Sequence, residues 1–192
     1  MSAVGSTLTS MPSVSAHDVA AELRRALPGV PVKKLHKLLY YCQGHHLAHF
    51  GEPLFREPVM AYDMGPLVAN LWKAEKDGLP APNPEELDAG QLNTIGYVVS
   101  RYGRLTGTDL ERLTHSESPW RQADESRPAG GSVRIRQDSI RAFFRAGGGP
   151  DPELPWPAAA DLERLTSGAD ERRARPARRS RTTRPTPTTA SS

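Results

Sequence analysis

The chain has 192 residues, a formal net charge of +3 and a hydrophobic content of 37%. This length accommodates one domain with extensions, and the single cysteine excludes an internal disulfide. The charge is unevenly distributed, because residues 170–192 contain seven Arg but only one Asp and one Glu. Residues 1–15 lack the basic and apolar runs of a secretory signal, and no stretch is long and apolar enough to span a membrane. We therefore expect a cytoplasmic protein that does not associate with a membrane.

The first two predicted helices are bounded by characteristic residues. Ser15 and Asp18 have the spacing of a capping box, which predicts the start of the first helix. A second helix is predicted to begin after Pro31 and to end at Gly51. Its apolar positions recur at helical spacing: Val32, Leu35, Leu38, Leu39 and Cys42. Because this segment is the most apolar of the chain, we predict that it forms the central helix.

The middle of the chain combines an extended segment with two further helices. Residues 59–62 are predicted to form a brief strand, in the position of an edge strand. Gly65-Pro66 is predicted to start a third helix that continues through Trp72. A Pro-rich loop leads to a fourth helix, and Gly103 is expected to end it in the left-handed conformation.

The second half carries the clearest local signals. Thr106 and Asp109 form a capping-box pattern that predicts a helix, and Ser118-Pro119-Trp120 opens another short one. Residues 133–135 are interpreted as a strand, and Ile140 with the following Phe pair marks a last helix.

The sequence thus predicts a mainly α fold, a compact single helical domain of about six helices with two very short strands. We expect this domain to span residues 15–147, after a flexible N-terminus over residues 1–14. Residues 148–192 are rich in Pro, Arg and Thr and cannot bury enough apolar surface to offset the entropy of ordering, so a disordered C-terminal tail is predicted.

Two groups of residues could in principle form a metal site or a catalytic site, but each has a simpler structural interpretation. His45 and His49 have the one-turn spacing of two metal ligands, but no Glu follows the first His and no third ligand is evident. Cys42 could pair with a His as a nucleophile, yet its place on the apolar stripe favours a buried thiol. We therefore predict no catalytic residue, no metal and no cofactor, and a protein that is not an enzyme.

Nucleic acid is not the expected partner of the domain. Lys33, Lys34 and Lys37 with Tyr40 and Tyr41 could form a basic aromatic surface, but lysines beside an apolar helix face usually form a solvated edge. The Arg-rich tail allows weak electrostatic attachment to nucleic acid.

Residues 34–47 read KLHKLLYYCQGHHL. Together with further segments in matching order, this stretch resembles the Panacea domain of SocA-like antitoxins. These segments are Gly51-Glu52-Pro53-Leu54-Phe55, Gly65-Pro66, Tyr102-Gly103, Leu113-Thr114-His115, Pro119-Trp120 and Phe143-Phe144. The resemblance runs from about Val32 to Phe144.

The resemblance implies the antitoxin of a type II-like toxin–antitoxin pair. Such a protein neutralises a cognate protein toxin, usually encoded by an adjacent gene, by direct binding. The alternative is a toxin-independent interaction module or a proteolytic adaptor, phage- or defence-associated, with a protease as a second partner. Neither activity requires catalysis.

Amphipathic rings dominate binding hot spots, so exposed aromatic and His side chains flanking the central helix are the expected toxin contacts. They are His36, Tyr40, His45, Tyr62 and His115. In the alternative interpretation Tyr40, Trp72 and Trp120 pack inside, which we favour for the two Trp. Six further residues are expected to shape the fold: Leu35, Leu39, Gly65, Pro66, Pro119 and Trp120.

Overall fold

The computed structural model describes residues 14–79 and 86–149, which belong to one compact unit. The helices are α1 (Ala16–Ala26), α2 (Val32–Phe50), α3 (Ala69–Lys76), α4 (Ala89–Tyr102), α5 (Gly107–Ser116), α6 (Ser118–Glu125) and α7 (Gln137–Arg145). The strands are β1 (Val59–Tyr62), β2 (Gly65–Val68) and β3 (Val133–Arg134). The mainly α fold is confirmed, although the described ranges contain seven helices and three strands, one strand more than expected. The predicted tail from residue 150 and the predicted N-terminus up to residue 13 lie outside the described residues.

Both predicted capping boxes are confirmed. At α1 the Asp18 backbone N–H donates to Ser15 Oγ at 3.3 Å, and the Ser15 N–H donates back to the Asp18 carboxylate at 3.2 Å. At α5 the same exchange joins Thr106 and Asp109, at 3.1 and 2.9 Å. Each box satisfies backbone donors that the first helical turn leaves unpaired, which explains why these two helices start where the sequence predicts.

Helix α2 is the centre of the domain. It contacts α1, α4, α5, α7 and β2, and every residue from Leu35 to Gly44 is buried. Gly51 ends the helix with φ of 81°, as predicted. Although α2 has 19 residues, no helix in the described part of the chain combines the length and apolar character of a membrane span.

The three strands form an antiparallel sheet in the order β2-β1-β3. The strand predicted over residues 59–62 is confirmed, but its predicted edge position is wrong, since β1 is the central strand. The prediction that Gly65-Pro66 starts a helix is also wrong, because both residues belong to β2 and the helix begins only at Ala69. Pro66 lies opposite Ala61, and alternate pairs of an antiparallel ladder exchange no hydrogen bond, so the missing proline N–H leaves the pairing intact.

The end of α4 also differs from the prediction. Gly103 has φ of −63°, which is right-handed, so it does not end α4 in the left-handed conformation. A Cβ at this position would collide with the Val99 carbonyl oxygen. Glycine is therefore favoured here by lack of space rather than by an unusual backbone angle.

Candidate functional site

The structure separates the five predicted contact residues. His36 and Tyr40 are buried, with 1% and 0% of their surfaces exposed, so the expectation that they are exposed is wrong. The reason is that α2 is surrounded by other elements along this stretch and has no solvated face. His45, Tyr62 and His115 are half-buried and lie on three different elements, α2, β1 and α5.

His36 and Lys37 close the free edge of the sheet. Backbone groups two residues apart on a strand point towards the same edge, and at β2 these are the Val68 N–H and the Pro66 carbonyl. The Val68 N–H donates to His36 Nδ1 at 3.3 Å, and Lys37 Nζ donates to the Pro66 oxygen at 3.2 Å. Burial lowers the pKa of His36 to about 4, which keeps its ring neutral and able to accept this bond at neutral pH. His36 thus has a clear structural role.

A buried carboxyl joins α2 to the start of α6. Tyr41 donates to Glu117 Oε1 at 2.9 Å, and burial raises the pKa of Glu117 to about 7. The Tyr40 hydroxyl interacts electrostatically with the same carboxyl but has no hydrogen-bond partner of ordinary geometry in the described part of the chain. These groups are enclosed, so they connect elements of the core.

His115 and Trp120 form a stacked pair on the α5–α6 corner, with ring centroids 4.0 Å apart. Pro119 lies in the first turn of α6, as predicted, and Trp120 is buried. Trp72, on α3, is 41% exposed, so the expectation that both Trp pack inside is right for Trp120 and wrong for Trp72.

A groove of about 540 Å³ lies between the C-terminal half of α2, α4 and the end of α7. Two hydrophobic aromatic rings in it are exposed: Phe50, with 43% of its surface accessible, and Tyr97, with 46%. The lining residues are His45, Ala48, His49, Phe50, Gly90, Asn93, Thr94, Tyr97, Phe144 and Arg145. Of the five predicted contact residues, only His45 lines this groove.

His45 is fixed in the wall of the groove. Its Nε2 lies 2.8 Å from the Tyr102 hydroxyl, and its ring is 4.9 Å from the Tyr97 ring and 4.7 Å from the Phe144 ring. Burial, followed by the nearby Arg101 charge, lowers the pKa of His45 to about 4. The part of the wall formed by these three rings is therefore aromatic and uncharged at neutral pH.

Phe50, Tyr97 and Arg145 are groove residues that sequence reasoning missed. The buried positions of α4 include Ile95, Val98 and Tyr102, which follow the helical repeat. Tyr97 falls off this stripe, and a large aromatic side chain on the outer face of an amphipathic helix is the signal that could have identified it.

Of the two metal-ligand candidates, His45 is hydrogen-bonded, whereas His49 is exposed and its ring lies 4.6 Å from the Phe50 ring. His46 Nδ1 lies 3.0 Å from Thr94 Oγ1, and His45 is bonded to Tyr102. Cys42 is fully buried, and burial raises the pKa of its thiol. Across residues 14–79 and 86–149, no three His, Cys, Asp or Glu side chains are grouped so that they could hold a metal ion.

Comparisons with known proteins place this domain in a family context. No curated protein and no solved structure gives a significant match to the chain. Residues 35–121, which include most of α2 and continue into α6, match the family model described as “Antitoxin SocA-like, Panacea domain”. This match confirms the resemblance identified from the sequence: residues 35–121 are similar to the antitoxin domain that the family model describes.

Proposed function

We propose that the protein is the antitoxin of a toxin–antitoxin pair and that it neutralises a cognate protein toxin by direct binding through the groove between α2, α4 and α7. The observation that carries the proposal is the pair of exposed rings, Phe50 and Tyr97, in a groove of an antitoxin-like domain. We further propose a cytoplasmic site of action and a toxin encoded by an adjacent gene.

Binding alone accounts for this activity. Phe50 and Tyr97 offer large apolar surfaces on rigid helices, so burying them against a partner costs little conformational entropy. His45, held by Tyr102, adds a third ring whose orientation is already set. A toxin seated here is neutralised if its active site faces the groove, without any chemical step.

The remaining predicted contacts take different roles in this proposal. His36 and Tyr40 lie beneath the surface, where His36 bonds to β2 and the Tyr40 ring packs on Phe144 of α7. Tyr62 and His115 do not line the groove. A partner large enough to reach beyond the groove would contact them only at the margin of the interface.

Co-expression with each adjacent gene, scored by growth, tests the proposal. We expect one neighbour to be toxic alone and harmless together with this protein. The double variant Phe50→Ala, Tyr97→Ala should lose protection and keep its thermal unfolding midpoint, because both side chains are exposed. Trp72→Ala is the matched control, since Trp72 is a similarly exposed aromatic residue outside the groove.

Two outcomes would contradict the proposal. If no neighbour is toxic, the antitoxin function is wrong and a toxin-independent interaction module is favoured. If the double variant protects as well as the parent protein, the groove is the wrong surface. Toxin abundance separates the mechanisms: occlusion leaves its level unchanged, whereas a proteolytic adaptor lowers it.

A further inference from the structure

One end of the groove is positively charged. Arg145 is exposed on the last turn of α7 and lines the groove. The guanidinium carbon of Arg101 lies 5.9 Å from the ring centroids of both Tyr97 and Tyr102. Arg145 therefore lines the groove directly, whereas Arg101 is not a lining residue and lies beside the ring of one, Tyr97.

Neither arginine is neutralised by the described part of the chain. No carboxylate there lies within ion-pairing distance of Arg101 or Arg145, whereas Arg24, Arg25 and Arg127 each have an acidic partner. Arg101 Nε is also buried without a hydrogen-bond partner in these residues. The charge of Arg101 therefore adds to the positive potential beside Tyr97, and Arg145 is the cation that an incoming acceptor can reach.

The buried Glu117 carboxyl acts on Tyr102 from within the core, and two further acidic groups lie at the opposite end of the groove. Asp88 and Glu52 act electrostatically on His46 there, and Asp88 caps α4 by accepting from the Gln91 N–H at 2.9 Å. Neither α2 nor α4 contains an acidic residue, and Asp138 lies in the first turn of α7. Arg101 is separated from the α4 cap by about 20 Å at 1.5 Å per helical residue, so the groove is polarised along its length.

Two classes of anion could occupy such a site, and the lining favours one. A nucleic acid is held by a run of cations along its phosphates, whereas the lining of this groove contains one arginine, Arg145, beside Phe50, Ala48 and Phe144. A carboxylate on an apolar peptide matches both features, because arginine binds carboxylates in bidentate geometry and the rings accommodate an apolar side chain.

We propose that the groove binds an acidic amphipathic segment of the partner protein. A carboxylate of this segment contacts Arg145, the Arg101 charge beside Tyr97 adds to the attraction, and an apolar side chain inserts between Phe50 and Tyr97. This inference rests on the proposed function for the identity of the partner, and it adds the charge and the orientation of the bound segment.

The test uses the full chain and two fluorescein-labelled, helix-forming peptides of equal length. Both have leucines at the same helical spacing, and their remaining positions are Glu in one peptide and Lys in the other. We expect only the Glu peptide to raise the fluorescence anisotropy at low salt. Arg145→Glu should weaken that binding about tenfold or more, because it places like charges together.

Arg121→Glu is the control, since Arg121 is exposed on α6 outside the groove and the change in net charge is identical. The basic segment 170–192 is the same in every variant, so binding to that segment would not respond to Arg145→Glu. Equal binding of the two peptides, binding of neither, or equal losses in the two charge variants would overturn the inference. Tighter binding of a single-stranded RNA of equal charge would overturn it as well.

The inference and the proposed function fail in different ways. If Phe50→Ala, Tyr97→Ala abolishes protection from the toxin but Arg145→Glu affects neither protection nor peptide binding, the acidic-segment inference alone is wrong. If no neighbouring gene is toxic but the Glu peptide binds and Arg145→Glu weakens it, the antitoxin function is wrong and the acidic-segment site stands.

Discussion

The two halves of α2 serve different purposes. Residues 35–44 are entirely buried, and their polar side chains bond to the edge of β2 and to Glu117. In residues 45–50, His46 and Leu47 remain buried, and the other four residues form one wall of the groove. The stretch that most clearly carries the family resemblance is therefore largely internal. A sequence motif can identify a family by the residues that build its core, while the partner is met by the residues beside them.

Substitution of Gly44, which lies where the two halves of α2 meet, should have the largest effect on stability. A Cβ at this position would overlap the Phe144 ring of α7. Gly44→Ala should lower the free energy of unfolding by about 3 kcal/mol through overpacking, although alanine is the better helix former. Urea unfolding measures the change. The cost should shrink in a Phe144→Leu background, and a stabilised Gly44→Ala protein would contradict the packing.

The Glu117 carboxyl makes the buried half sensitive to pH. Because burial raises its pKa in the folded protein from 4.5 to about 7, the contribution of Glu117 to stability is fully present below pH 4.5 and is lost as the pH rises to 7. Between pH 5 and 8, the unfolding free energy of Glu117→Gln should therefore rise relative to the parent protein by roughly 2 kcal/mol. Urea titrations at several pH values test this expectation.

His36 and His45 titrate in the opposite sense, because burial lowers the pKa of each to about 4 and their contributions are lost as the pH falls from 6.5 towards 4. Both histidines are present in the parent protein and in Glu117→Gln, so their contributions cancel in the difference between the two unfolding free energies. A difference that does not change with pH would show that Glu117 has an ordinary pKa.

Tyr40 and Tyr41 offer a matched pair at the same carboxyl. Tyr41→Phe removes the donor to Glu117 and should cost roughly 1–2 kcal/mol of unfolding free energy, because a buried acceptor loses its partner. Tyr40→Phe should be nearly neutral, since the Tyr40 hydroxyl has no well-formed bond to lose in the described residues. Equal losses measured by urea unfolding would contradict the assigned geometry.

The groove half should show the smallest effect on stability. Tyr97→Ala removes an exposed ring and should change the free energy of unfolding by less than about 0.5 kcal/mol. The same variant should weaken binding to the partner, measured by calorimetry once the toxin is identified. A large loss of stability would show that the ring belongs to the core and would shift the partner surface elsewhere.

Local chemistry explains which parts of the fold could be predicted. Capping boxes are encoded within four residues, so the starts of α1 and α5 follow directly from the sequence. The β2 strand could not be predicted in this way, because a Gly-Pro pair fits a helix start as well as the unbonded position of a strand. The ladder with β1 and the bonds from His36 and Lys37 favour the strand, and these contacts are distant in sequence.

The candidate site was harder to predict than the fold. A periodic pattern indicates which face of a helix is apolar and therefore which face should be exposed. Helix α2 is enclosed on several sides, so polar residues outside its apolar face, including His36 and Tyr40, are buried as well. The groove exists only because α2, α4 and α7 come together, which no local pattern specifies. His45 could be chosen from its residue type and its position on α2, whereas Phe50, Tyr97 and Arg145 required the assembled domain.

Cys42, the only cysteine of the chain, lies in the middle of the enclosed half of α2. Its sulfur is shielded from water and its burial disfavours the thiolate, the form that reacts with alkylating reagents. Modification of this sulfur therefore has to wait until the core opens. In a large excess of a thiol reagent, the rate of Cys42 labelling therefore measures the rate at which the core around α2 opens. A partner that stabilises the closed domain should lower this labelling rate.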